Sequence, residues 1–179
     1  MKIFSKLLIV SSILVSFITK AQESFPQSWL GSYKGDLMIY GTDSVKMKLK
    51  MTVNIVKTAN DSVVDWTIIY DLEGKKDVRP YSLVVVDKER GHYKIDERNS
   101  IEIDSYFHNN NILTSFFKVN ESYIIATYKK IESTLVFEII AGKLVPISIT
   151  GNQMVNEEEI PQVDTFPVSG RQKAVLVRQ

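Results

Sequence analysis

Between Ser28 and Gly151 apolar and polar side chains alternate with a period of two, and turn-forming residues interrupt the alternation every eight to fourteen residues or so. That pattern restricts the chain more than any other feature. A helix presents one face every 3.6 residues, whereas a strand sends successive side chains to opposite faces of a sheet. The clearest case is Val45–Ile55. Here Val45, Met47, Leu49, Met51, Val53 and Ile55 point one way, and Lys46, Lys48, Lys50, Thr52 and Asn54 point the other. Such a strand has one dry face and one wet face.

The same pattern predicts an opening strand over Tyr33–Tyr40 and, after Asn60-Asp61-Ser62, a strand over Val63–Asp71. Hairpins continue through Arg79–Val86, His92–Glu97, Ile101–Phe107, Ile112–Val119, Tyr123–Ile131, Thr134–Ala141 and Leu144–Thr150. The connections carry Gly, Asn, Asp or Ser; Asn109-Asn110-Asn111 is the strongest, because Asn tolerates left-handed backbone angles. About ten strands follow one another with no crossover long enough for a helix, so sequential neighbours pair as an antiparallel meander. Closing that meander removes both of its exposed edges. The expected fold is therefore all-β: an antiparallel up-and-down barrel of about ten strands, with an open sandwich as the alternative.

Residues 1–21 read as a signal peptide, with basic Lys2 and Lys6, an apolar run Leu7–Ile18, and a small residue at Ala21 before the expected cleavage. The run is shorter than the roughly twenty residues that a membrane-spanning helix needs. An exported, periplasmic or secreted protein follows, with no transmembrane segment in the mature chain. The barrel domain is expected over residues 22–151. Residues 152–179 form an extended C-terminal tail, in which Lys173–Val177 either returns to the sheet edge as a terminal strand or stays mobile.

The chain has no cysteine, which removes disulfides, thiolate metal sites, cysteine nucleophiles and N-terminal lipidation, and leaves a hydrophobic core to hold the fold. Three of the 22 basic residues fall in the leader, leaving 19 against 21 acidic ones. That balance does not point to nucleic acid. Lys46, Lys48 and Lys50 fit a solvated sheet face that discourages edge pairing.

The segment Trp29-Leu30-Gly31-Ser32-Tyr33-Lys34-Gly35-Asp36-Leu37 resembles the entry to the first strand of a calycin, the superfamily of lipocalins, fatty-acid-binding proteins and nitrobindin-like barrels. The resemblance implies a tryptophan plugging one barrel end and a cavity, reached from the other, for a small apolar or amphipathic ligand. The chain departs from each branch. It has more strands than a lipocalin and no external helix, Gly41–Ser44 leaves no room for the two helices of a fatty-acid-binding protein, and no histidine follows His108 for a nitrobindin-like haem. No cofactor is expected.

Arg79 and Tyr81 lie two apart on the face that carries Leu83 and Val85. Inside an apolar barrel, a guanidinium fork and a phenol would clamp a carboxylate. The other reading pairs Arg79 with a structural carboxylate such as Asp77, Asp96 or Glu97. The ligand-contacting candidates are Arg79, Tyr81, Trp29, Tyr33 and Trp66. Aromatics such as Trp66, Tyr70 and Phe137 also suit a core.

His92 and His108 stand at strand ends without a second ligand at metal-binding spacing, and no metal site is expected. Glu102 and Asp104 share a face opposite Ile101 and Ile103, a poor arrangement for paired catalytic carboxylates. No catalytic residue is singled out, and catalysis is the weakest reading. The leading one is an exported lipocalin-like protein that binds a small amphipathic ligand. The alternative is a non-catalytic secreted or envelope module with a filled barrel, contacting another protein through its rim, its lysine face or its tail.

Overall fold

The computed structural model describes residues 23–179. The expected leader and its cleavage point lie outside the described residues. Fourteen strands follow a single 3-10 turn at Gln27–Trp29. Nine of them run in chain order round the wall: β1 (Gly31–Tyr40), β2 (Val45–Lys57), β3 (Val63–Leu72), β4 (Lys75–Asp87), β5 (His92–Asp96), β6 (Glu102–His108), β7 (Ile112–Val119), β8 (Ser122–Ile131) and β9 (Thr134–Lys143). Four short strands then leave the wall, β10 (Ser148–Thr150), β11 (Gln153–Val155), β12 (Glu158–Ile160) and β13 (Val163–Thr165). The last, β14 (Val168–Arg178), pairs with β9 on one side and β1 on the other and closes a ten-stranded antiparallel barrel. The all-β meander expected from the alternation is thus the fold, and it is a barrel rather than a sandwich.

The tenth wall strand differs from the expected one. Leu144–Thr150 has the right alternation, but only Ser148–Thr150 is a strand, paired with β13 outside the barrel. Lys173–Val177 takes the place in the wall as part of β14. The physical reason is the core: Ala174 and Leu176 are buried against the other walls, whereas Val145, Ile147 and Ile149 are exposed.

Turn chemistry fixes the register. Glu73 and Gly74 both take positive φ, 53° and 89°, and join the paired residues Leu72 and Lys75 in the mirror-image turn that matches strand twist. The β7–β8 and β8–β9 hairpins close over two residues each, with Asn120 (φ 48°) and Glu132 (φ 52°) in left-handed conformations.

One end of the barrel is filled. Phe25, Trp29, Tyr33 and Tyr93 are buried there, with the Phe25 ring stacked 4.1 Å from Phe107 and edge-on to Trp29 at 4.8 Å. The Tyr33 hydroxyl donates to the Trp29 carbonyl at 2.9 Å, tying the first strand to the 3-10 turn that precedes it. At the opposite end, which we call the mouth, the β1–β2, β3–β4 and β7–β8 turns and the β10–β13 arm emerge. Among the described residues no helix is long and apolar enough to cross a membrane.

Candidate functional site

Trp66 on β3 and Tyr128 on β8 come from opposite sides of the ten-stranded ring, and their rings meet edge-on at 5.1 Å. Phe137 lies 4.9 Å from Tyr128. Together they form a floor across the interior. Above it, toward the mouth, the inward side chains Leu49, Tyr70, Tyr81, Ile103 and Ile139 are only half-buried and pack against the core below. The inner wall also carries small side chains: Ala126, and Ser105 and Ser115, whose hydroxyls are 2.6 Å apart.

Parity on β4 places Asp77, Arg79, Tyr81 and Leu83 on the inward side, and the burial gradient gives their depth: Leu83 is buried, Tyr81 half-buried, and Asp77 and Arg79 exposed at the rim. The Arg79 guanidinium carbon sits 5.4 Å from the centroid of the Tyr70 ring, a cation–π contact. Its Nε and one Nη donate to a single Asp77 oxygen, at 3.1 and 3.0 Å. Asp77 was one of the structural partners considered for Arg79, so the pair exists, but with both side chains about half exposed.

Burial pushes up the pKa of all three phenols in this region. Tyr70 is pushed up to about 12, opposed by the nearby Arg79 charge. Tyr81 is raised by burial against the pull of Arg79, with Glu97 adding to the rise. Tyr128 is raised well above the ordinary range by burial, with Tyr70 adding and the Trp66 indole N–H opposing. That indole N–H is fully buried and makes no well-formed hydrogen bond, although it is close enough to the Tyr128 oxygen to influence its charge. Tyr81 and then Asp77 hold the proton on Arg79 more firmly than usual, against burial. At neutral pH the cluster therefore holds the Arg79 cation, the Asp77 carboxylate paired with it at the rim, and three neutral hydroxyl donors; an anion would have to displace or share with Asp77, and the neutral phenols are poorly suited to act as nucleophile or base.

Stability at high pH follows from Tyr70. Its folded value of about 12 exceeds the ordinary 10, so the native state keeps a proton that the unfolded chain releases. The contribution is intact below about pH 10 and is lost as pH climbs through 12. Two units correspond to roughly 2–3 kcal/mol. Urea unfolding across that interval should show a steep loss in the wild type and a shallower one in Tyr70→Phe. Equal slopes would place Tyr70 in water.

Of the five candidate residues, the structure brings Arg79, Tyr81 and Trp66 to the same half of the interior. Trp29 and Tyr33 lie beneath them in the plug, with the Trp29 ring 6.3 Å from Trp66. Tyr128 was not singled out from the sequence. Its position on the inward parity of β8, beside the small Ala126, is the only local signal.

The remaining polar groups of interest lie on the outer wall. His92 Nε2 is 2.7 Å from Asp104 and its ring stacks on Tyr106 at 5.0 Å, while Lys94 pairs with Glu102 at 2.7 Å. Arg98 donates to Ser82 and pairs with Asp65. Lys48 and Lys50 both reach Asp36, at 2.9 and 2.7 Å. Among the described residues no cluster of three or more His, Cys, Asp or Glu side chains could hold a metal ion. No protein-family model matches the chain, and no curated protein matches it.

Proposed function

We propose that this is an exported, calycin-like binding protein whose mouth takes a small amphipathic anion, a carboxylate on an apolar body. The observation that carries the reading is the Arg79 guanidinium over the Tyr70 ring, on the inward side of the rim, beside phenols that burial keeps neutral. A carboxylate would take the guanidinium fork and a phenol hydroxyl, and its apolar part would lie along Leu49, Ile103 and Ile139 above the Trp66–Tyr128 floor. An eight-stranded barrel is either filled by its own side chains or holds one small ligand, and ten strands make a wider interior. The Asp77 pair does not compete strongly, because a half-exposed ion pair is worth about 0–1 kcal/mol. Export rests on the leader-like N-terminus, and kinship with the calycins on the Trp29–Leu37 entry motif together with the closed meander.

The test is a fluorescent long-chain fatty acid titrated beside its methyl ester. The acid is expected to bind more tightly. Arg79→Gln should weaken it roughly 10- to 100-fold, the value of one to two charge-assisted hydrogen bonds, and leave the ester and the melting temperature nearly unchanged. Equal binding of acid and ester by the wild type would overturn the reading.

A further inference from the structure

The β10–β13 arm is one long hairpin. The ladders Ser148↔Thr165 and Val155↔Glu158 keep a common register and are interrupted only at Gly151, which approaches Pro161 so closely that a Cβ there would lie 2.0 Å from the Pro161 carbonyl oxygen. Asn156 and Glu157, at φ 50° and 67°, make the tip turn. Each face of the tip sets an apolar residue beside a glutamate: Val155 opposite Glu158, and Met154 opposite Glu159. Met154 is 64% exposed, and Glu157, Glu158 and Glu159 are exposed without an ion pair among the described residues.

The outer wall holds the opposite character. Two adjoining hollows sharing Gly35 and Lys50 run across β14, β1, β2 and β3. Met38, Val175 and Ile69 give them apolar surface, and Lys34, Lys76 and Lys173 stand round them without an ion-pair partner among the described residues. Asp36 is already occupied by Lys48 and Lys50. The second hollow also carries Asp71, whose Oδ1 accepts the Gly74 N–H, but the lysines outnumber it; a partly apolar groove with three unpaired lysines at its margin thus complements an arm tip where apolar residues alternate with unpaired glutamates.

We propose that the groove receives the arm tip of a second copy of this chain, Met154 covering the apolar floor while Glu159 beside it and Glu157 at the turn meet the lysines that stand round the groove, with Glu158 adding negative charge from the other face. A lipid surface is the other occupant an exposed apolar arm suggests, but three glutamates at the tip oppose insertion at an anionic membrane. Because arm and groove are different patches of one molecule, the contact is reciprocal when two copies exchange arms and open-ended when they do not.

Sedimentation of the purified protein should show concentration-dependent association that weakens between about 0.02 and 0.5 M salt, over which screening shortens severalfold. Glu157→Lys/Glu158→Lys/Glu159→Lys and Lys34→Glu/Lys76→Glu/Lys173→Glu should each sediment as monomers at least about tenfold beyond the wild-type association midpoint, with unchanged circular dichroism. The milder Glu→Gln arm variant should shift in the same direction. Mixing the two charge-reversed proteins should restore a complex, because the basic arm of one meets the acidic groove of the other. A monomeric wild type, association that survives both reversals, a mixture that stays monomeric, or an arm reversal whose only effect is altered binding to phosphatidylglycerol vesicles would each overturn the proposal.

Discussion

A chain ended at Pro167 is expected to lose its cooperative fold altogether, although it retains every strand that the alternation before Gly151 marks most clearly. Without β14, β1 loses eight registered partners and β9 loses nine. At a net 0.5–1.5 kcal/mol or so per hydrogen-bonded pair, that loss alone reaches the roughly 5–15 kcal/mol by which a domain is stable. Ala174 and Leu176 also leave the core, uncovering the side of the interior that holds Leu37, Leu135 and Phe137. Two long unpaired edges would then template aggregation. The control is a chain in which Leu144–Pro167 is replaced by an Asn-Gly turn. Gly142 and Val168 already pair across the wall, so a tight hairpin can join β9 to β14 and the barrel should melt cooperatively. Thermal melts by circular dichroism distinguish the two, and a truncated chain that melts like the wild type would mean that β14 does not close the barrel.

That contrast marks where the sequence is legible and where it is not. Alternation identifies β2 and its inward face, but not depth: Met51, Val53 and Ile55 are buried, while Val45 and Met47 on the same face are 46% and 43% exposed because the strand runs out past the mouth. The same blindness assigns Leu144–Thr150 to the wall. Val145, Ile147 and Ile149 alternate as a core-facing strand would, yet they belong to a free arm. β14 was obscured by the opposite circumstance. Its inward Ala174 and Leu176 are few, and Arg171, Gln172, Lys173 and Arg178 dilute the pattern around them. Pairing between β14 and β1 spans almost the whole chain, and no local composition encodes it.

The candidate site divides along the same line. Arg79 and Tyr81 could be placed inward because Leu83 and Val85 share their strand and parity, and the structure keeps that face. The Arg79–Tyr70 contact lies between adjacent strands and follows from the register of one hairpin. The Trp66–Tyr128 floor does not. It joins strands on opposite sides of the ring, so it depends on the number of strands and on closure, which only the full fold fixes. Tyr33, also among the ligand-contacting candidates, donates its hydroxyl to the Trp29 carbonyl inside the plug, a contact that follows from the bend of the 3-10 turn rather than from alternation.

Gly35→Ala is expected to destabilise the protein by about 3 kcal/mol, the upper part of the ordinary range for overpacking. Gly35 lies on β1 opposite Leu176 of β14, and a Cβ there would stand 2.1 Å from the Val175 carbonyl oxygen and 3.0 Å from its carbon. The obstacle is backbone, so no rotamer change relieves it, and the two strands of the closing seam must separate. Gly170→Ala in β14 provides the comparison: its Cβ would meet only the Ala141 methyl at 3.6 Å, an ordinary contact, so that variant should match the wild type or gain a few tenths of a kcal/mol from reduced unfolded-state freedom. Urea midpoints measure both. Arg79, Tyr81 and Tyr70 stand on β3 and β4 rather than at the seam, so under the proposed binding reading the folded fraction of Gly35→Ala keeps whatever preference the wild type shows for the fatty acid over its ester. Loss of stability with retained preference would separate what closes the barrel from what recognises the ligand; a Gly35→Ala protein as stable as the wild type would mean that β1 and β14 do not approach so closely.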